Sequence, residues 1–235
     1  MDKIAVIIPA YNEEASISGV VQTLHKVSTQ NSLFLDVIVV NDCSTDSTTQ
    51  LISKLDCTPL NLGVNLGIGG AVQTGFKYAF NNGYDFAIQV DGDGQHPAEE
   101  IPNLLNALKQ NNWDVVIGSR FLNKAGFQST FLRRSGIGFF RFLNRLLVGV
   151  DIKDSTSGFR LLNRKALAIV NEYYPDEYPE PEAIVLFAKN KLKIGEVPVV
   201  MRERQGGVSS ISKSQSVYYM FKVGLAVIFT FIKTK

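Results

Sequence analysis

The sequence predicts an α/β protein built on a mostly parallel sheet flanked by helices. Three observations carry this. Short runs of β-branched and other apolar residues recur along the first 120 residues, stretches of helical spacing separate them, and several runs end in polar or acidic residues. Runs apolar on both faces mark strands covered on both sides. Their alternation with helices implies parallel pairing through right-handed crossovers. At 235 residues, 45% hydrophobic and 20% charged, one globular domain with a sizeable core is the economical reading.

The first run, "KIAVIIPA" (3–10), reads as a buried strand; it is too short for a signal peptide and meets Pro9 and acids at once. Residues 14–27 place Ile17, Val20, Val21 and Leu24 at helical spacing. "LDVIVVND" (35–42) is a second buried strand, and Ser44 and Asp46 are candidate caps for a helix in "STDSTTQLISKL". A short apolar piece near 57–62 precedes "GIGGAVQTGFKYAF", a helix with a glycine-rich start. "YDFAIQVD" (84–91), a helix over 98–110 and the strand "WDVVIGSR" (113–120) complete the regular part.

Beyond residue 120 the pattern loosens. "FLRRSGIGFFRFLNRLLVGV" (131–150) is amphipathic and basic, "DSTSGFRLLNRKAL" reads as a loop leading into a helix, and "LKIGEVPVV" as a late strand before a polar glycine loop. The tail holds 16 largely apolar residues, Val217 to Ile232, interrupted by Lys222. A bilayer span wants about 20. The tail is therefore expected to lie in a membrane interface or pack on a partner, with a final core helix as the alternative. The expected division is 1–210 for the main domain and 211–235 for this helix.

Charge is unevenly placed: residues 1–118 carry 5 Lys/Arg against 13 Asp/Glu, and residues 119–235 carry 19 against 9. The acidic half suits a cation and the basic half suits phosphates or an anionic membrane face. Two cysteines, Cys43 and Cys57, make neither a disulfide framework nor a zinc site. The basic residues are not interleaved with a recognisable nucleic-acid module, so no nucleic-acid partner is expected.

In parallel α/β sheets ligands sit outside the carboxyl ends of the strands. Asp42, Asp91 and the stretch after Pro9 all fall at such ends. In "DGDGQ", Asp91, Asp93 and Gln95 offer hard oxygen ligands at alternating positions, which suits Mg²⁺ or Mn²⁺ completed by water and substrate phosphates. The plainer reading is a polar Asp/Gly turn, with Pro97 opening the next helix.

Six segments in order, "VIIPAYNEEASI", "VIVVNDCSTDST", "NLGIGGAVQTGF", "IQVDGDGQHP", "VIGSRF" and "DSTSGFRLLNR", resemble the motifs of family 2 glycosyltransferases with the GT-A fold. The likeness covers roughly residues 3–205. It is to the branch that includes dolichyl-phosphate mannose synthase and bacterial polyprenyl-phosphate glycosyltransferases. By this resemblance Pro9, Tyr11, Asn12 and Glu13 line the nucleotide, and Asp42 accepts a hydrogen bond from its base. Gly67, Gly69 and Gly70 bring backbone close to the nucleotide. Asp91 and Asp93 hold Mg²⁺ or Mn²⁺ with Gln95 in support, and Arg120 meets a phosphate. Asp154 and Ser157 lie near sugar and acceptor, and Arg202 and Arg204 sit on a loop over the donor. Arg133 or Arg134 would meet the lipid phosphate. His96 is either a phosphate contact or a solvated helix-start residue, and Arg160 is either functional or structural.

The resemblance implies transfer of a hexose or N-acetylhexosamine from a nucleotide sugar, UDP-glucose or UDP-N-acetylglucosamine ahead of a GDP-linked one, to undecaprenyl (polyprenyl) phosphate, with inversion. The expected setting is the cytoplasmic face of the cell membrane, peripheral or monotopic. A small membrane protein and a homo-oligomer are further partners this reading admits. "YPEPEAIV" opens an alternative: Glu180 or Glu182 as general base for a hydroxyl of a lipid-linked glycan. An inactive nucleotide-sugar-binding scaffold is a second alternative.

Overall fold

The computed structural model describes residues 2–122, 131–176, 178–202 and 216–234, with backbone alone for 131–135 and 216–220. Seven strands form one sheet: β1 (Lys3–Ala10), β2 (Phe34–Asn41), β3 (Thr58–Asn61), β4 (Phe86–Gln89), β5 (Val115–Ser119), β6 (Arg160–Asn163) and β7 (Ile194–Pro198), in the order β3-β2-β1-β4-β6-β5-β7. Pairing is parallel except at β6, which runs antiparallel to both β4 and β5. The sheet is therefore mostly parallel, as the sequence predicts.

Strand β1 sits at the centre of the first half because both its faces are apolar. Ile4, Val6 and Ile8 face one core, with Ile17, Val20 and Leu24 of α1 (Ile17–Asn31) and Leu104 and Leu108 of the helix Ile101–Gln110. Ala5 and Ile7 face the other, with Val72 and Phe76 of the helix Gly67–Asn81. In chain order the intervening helices are α2 (Thr48–Ile52), α3 (Gly67–Asn81) and α4 (Ile101–Gln110). Residues 14–27, read as a helix, begin it three residues late, because Glu13 to Ser16 form a turn in which the Glu13 carbonyl accepts from the Ser16 and Ile17 amides.

The stretch read as a loop leading into a helix contains β6. It is only four residues long, too short for a period-2 pattern, yet Leu161 and Leu162 enter opposite cores. Asn163 ends it by capping α6 (Arg164–Glu172), its Oδ1 accepting the Ala166 amide at 2.9 Å.

A third layer lies on α7 (Pro179–Lys189). Helices α5 (Phe131–Val148) and α8 (Ser216–Lys233) bury Phe140, Leu143, Val223 and Val227 around Val185. Lysines of this layer lie over rings, Lys222 over Tyr178 and Lys189 over Phe231. No helix among the described residues is long and apolar enough to cross a membrane.

Helix α3 packs flush on β1 at Gly75, where a Cβ would stand 2.1 Å from Ile7 Cγ2. Gly75→Ala is expected to cost about 1–3 kcal/mol through overpacking, read as a fall of several degrees in the thermal midpoint.

Candidate active site

The ends of β1, β2 and β4 open into a cleft of about 710 Å³ lined by Pro9, Tyr11, Asn12, Glu13, Asp42, Asn65, Gly67, Asp91 and Asp93 among others. This is the size of a small-molecule site. The sequence-predicted nucleotide residues Pro9, Tyr11, Asn12, Glu13, Asp42 and Gly67 thus converge, and the two aspartates of "DGDGQ" join them.

The cleft wall is made by cross-loop hydrogen bonds. Asn12 adopts a left-handed backbone (φ 58°). Its Oδ1 accepts the Thr45 amide at 2.8 Å, while its own amide donates to Ser44 Oγ. Its Oδ1 therefore clasps the β1 and β2 loops together at the cleft edge. The Glu13 amide donates to Thr48 Oγ1, and Ser16 Oγ donates to Glu13 Oε2 at 2.9 Å. Asp42 Oδ1 accepts the Leu66 amide at 2.7 Å, which fixes the turn into α3. Asn65, which the sequence reading missed, donates to the Asp42 carbonyl and accepts the Gly67 amide. An isolated Asn in "GVNLG" carries no signal that distinguishes it from turn chemistry.

Gly70 and Gly69 serve packing. A Cβ on Gly69 would lie 2.1 Å from the Asp176 carbonyl oxygen, so only glycine lets the chain before α7 lean on the start of α3. A Cβ on Gly70 would meet Leu66.

On the cleft floor Asp91 Oδ1 accepts from Gln89 Nε2 at 3.0 Å, and Asp93 Oδ1 accepts the Gln95 amide. Gln95 enters through its main chain, its carbonyl accepting the Arg202 amide. His96 is not a solvated helix-start residue. It is buried against Phe159, its Nδ1 accepts the Asp91 amide at 3.0 Å, and its Nε2 lies 3.5 Å from Asp91 Oδ2. Arg202 turns to the far side of this loop, where its guanidinium pairs with Glu99 at 2.8 Å, so it is not on the cleft wall.

Among the described residues no group of three or more His, Cys, Asp or Glu is gathered to cage a metal. Two hard carboxylates facing one cleft fit Mg²⁺ or Mn²⁺, which take few protein ligands and keep positions for water and phosphate oxygens. Asp91 and Asp93 would hold it, and it would supply Lewis acidity toward a diphosphate leaving group.

Arg120, at the end of β5, is fixed by Asp154. Its Nε and Nη2 donate to the two carboxylate oxygens at 2.8 and 2.7 Å, and its amide donates to Oδ2. Thr156 Oγ1 accepts a further bond. Burial alone lowers the Arg120 pKa, but Asp154 outweighs it, with Asp91 and Glu180 adding their charge, and the net direction is upward. Asp154 is itself held by the Glu196 carboxylate, which accepts the Lys153 and Asp154 amides. An acid inside the apolar strand "IGEVP" was the available signal for Glu196.

Ser157 is not a free hydroxyl. It donates to the Gly118 carbonyl at 2.7 Å and accepts the Phe159 amide, stapling its loop to β5. Glu182 is not brought to the cleft either: its Oε2 accepts from Thr230 Oγ1 at 2.7 Å, so it anchors α8. Glu180, two residues earlier in the first turn of α7, is half-buried. Burial pushes its carboxyl upward, Arg160 opposes this, and Asp91 and Arg120 act on it as well. The side chains of Arg133 and Arg134, and all of Arg204, lie outside the described residues.

This strand-end cleft on a mostly parallel sheet is a GT-A-like arrangement. The chain belongs to glycosyl transferase family 2, whose sequence profile matches residues 5–169. It is 33% identical over 219 residues to a UDP-N-acetylglucosamine–dolichyl-phosphate N-acetylglucosaminyltransferase of Methanococcus voltae, covering 83% of this chain and 84% of that one. It is 31% identical to a polyprenol monophosphomannose synthase of Mycolicibacterium smegmatis, covering 93% and 84%. Among solved structures, glucosyl-3-phosphoglycerate synthase of Mycobacterium tuberculosis, in complex with Mn²⁺, UDP and glucosyl-3-phosphoglycerate, superposes with a TM-score of 0.69 at 17% identity, covering 98% of this chain and 80% of that one. S. aureus TarS 1-349 gives 0.61 at 19% identity, and this chain, matched over 97% of its length, spans 65% of that one. The protein is thus a glycosyltransferase.

Replacing the buried Asp154 by Ala removes the partner of a half-buried guanidinium. The expected cost is about 3–5 kcal/mol of stability, measured by denaturant unfolding, together with loss of transfer activity. Arg120→Lys, which keeps charge but not the bidentate fork, is expected to retain more stability than Asp154→Ala.

Proposed function

We propose that the protein transfers a hexose or N-acetylhexosamine from a UDP-sugar to a polyprenyl phosphate at a membrane surface. The observation that carries this reading is the pairing of Asp91 and Asp93 on the cleft floor with Arg120 at a nearby strand end. The carboxylates suit a cation-bound diphosphate, and the arginine suits an anionic acceptor. The names of the relatives support a polyprenyl-phosphate acceptor, and those of the structural neighbours support a uridine nucleotide with Mn²⁺.

The residues divide the work. The Asn12 clasp and the Asp42–Leu66 bond hold the nucleotide wall rigid, so a bound donor loses little to loop ordering. Asp91 and Asp93 orient the diphosphate. Arg120, its Nε and Nη2 already paired with Asp154, offers its Nη1 edge to the incoming phosphate. A phosphate nucleophile is already anionic at neutral pH, so attack at the anomeric carbon calls for alignment rather than proton removal.

Access to a lipid is supported by the outer faces of α5 and α8. Phe139, Phe142 and Leu146 on α5 and Phe221, Leu225, Ile228, Phe229 and Ile232 on α8 are all exposed, and Phe139 packs beside Gly224, which joins the two faces. A contiguous apolar surface of this extent marks an interaction site. With Arg145 beside it, the surface fits in-plane docking on an anionic bilayer.

Purified protein supplied with undecaprenyl phosphate, Mn²⁺ and UDP-N-acetylglucosamine or UDP-glucose is expected to form a lipid-extractable, mild-acid-labile sugar. Chelation and Asp93→Asn are each expected to lower the rate at least ~100-fold, the scale of removing a transition-state charge contact. A glycolipid stable to mild acid would instead favour transfer to a hydroxyl. Phe142→Glu combined with Phe229→Glu is expected to abolish cosedimentation with anionic vesicles while UDP binding stays unchanged.

A further inference from the structure

Asp91 and Asp154 are two acids at the same end of the sheet, and they are satisfied in opposite ways. Asp154 receives a full positive charge from the Arg120 fork. Asp91 is met by an uncharged pair. Gln89 Nε2 donates to its Oδ1 at 3.0 Å, and its main-chain amide donates to His96 Nδ1 at 3.0 Å. A ring nitrogen that accepts carries no hydrogen, so the imidazole proton of His96 sits on Nε2. That atom lies 3.5 Å from Asp91 Oδ2. Both ring nitrogens are therefore turned to one residue, which packing alone does not require, since a phenylalanine would fill the same seat.

The seat comes from a distant stretch of chain. The His96 side chain is 6% exposed and lies against the Phe159 ring, with centroids 5.1 Å apart. Phe159 is itself fully buried and gives the imidazole a fixed floor. Gly158 supplies the clearance: a Cβ there would stand 2.6 Å from Gln89 Nε2 and 3.5 Å from His96 Cε1. Gln89 is buried at the end of β4, which leaves its amide little room to turn away. A glycine and a phenylalanine of "DSTSGFR" thus support the two residues that support Asp91.

The Asp91 side chain stays 34% exposed, and Asp91 lines the donor cleft. Neutral donors on the protein side orient its carboxylate without cancelling its charge. A cation that takes few protein ligands depends on each carboxylate being aimed beforehand, because a swinging one must be ordered on binding. We infer that His96 and Gln89 are positioning residues for this carboxylate. Gln89 sets its oxygens, His96 sets the main chain that carries them, and Gly158 and Phe159 seat both. The inference rests on the metal reading of Asp91 and Asp93 given above, and it assigns the histidine of "DGDGQHP" to aiming Asp91.

The test is the Mn²⁺ concentration that produces half of the tightening of UDP binding, read by calorimetry on the full chain beside the metal-free thermal midpoint. His96→Phe keeps a ring on Phe159 and removes both nitrogens, and Gln89→Met keeps the length and removes the N–H. Each is expected to raise that concentration about 10–100-fold, the usual effect of losing a residue that orients a metal ligand. UDP binding under chelator should stay unchanged. His96→Asn, whose side-chain oxygen can accept the Asp91 amide, should recover most of what His96→Phe loses. Variants that melt earlier yet need no more Mn²⁺ would show a purely structural role and overturn the inference. So would His96→Asn as impaired as His96→Phe, since the bond to Nδ1 would then not be what matters. Should His96→Phe fail to fold, Gln89→Met alone decides. Wild-type UDP binding that is indifferent to Mn²⁺ defeats the metal reading itself, and this inference with it, before any variant is made.

Discussion

The structure depends on the cost of setting carboxylates into the end of an apolar sheet. Asp42, Asp93 and Asp154 are buried, and Asp91 is covered on one side by Gln89 and His96. An ionised carboxylate out of water must be hydrogen-bonded or neutralised. The local architecture follows from how each is satisfied. Asp42 is met by a backbone amide of the α3 turn, and Asp154 by the full fork of Arg120. Asp93 takes the Gln95 amide, yet it and Asp91 still face open cleft where a cation can sit. Asp42 and Asp154 are thus satisfied inside the protein, whereas Asp91 and Asp93, though hydrogen-bonded, also border the cleft that a ligand enters.

The same economy explains why the wall residues matter more than their direct contacts. Asn12 through its Oδ1, and Asn65 through both ends of its amide, bond neighbouring backbone at the ligand site. They make the cleft rigid. Rigid walls let a metal–diphosphate bind without first ordering loops, which is where affinity is commonly lost. His96 acts similarly beneath Asp91, stacked on Phe159, whose neighbour Arg160 opens β6.

The parallel half of the fold was legible because its strands are apolar on both faces and end in conspicuous polar residues. "IQVDGDGQHP" and "VIVVND" show both features at once, and all their acids reach the strand ends as expected. β6 was not legible because four residues cannot display a period, and its pairing is set by distant strands. The split between Glu180 and Glu182 was also invisible. Both lie in the first turn of α7, and only the docking of α8, through Thr230, decides which one turns away from the cleft. Ser157, in the serine- and threonine-rich loop "DSTSGFR", donates its proton to the Gly118 carbonyl, a partner that the sequence does not display. Arg202 faced outward because its amide was already committed to the Gln95 carbonyl and its side chain found Glu99. In each case the residue type was informative and its direction was not.

The most direct test of the central claim is Mn²⁺ binding followed by electron paramagnetic resonance, with and without UDP. Two cleft carboxylates that leave coordination positions to the ligand predict weak binding of Mn²⁺ alone and marked tightening when UDP is added, with both lost in Asp91→Asn/Asp93→Asn. Mn²⁺ that binds equally tightly without UDP, or UDP that binds equally well under chelator, would contradict the assignment of these two aspartates.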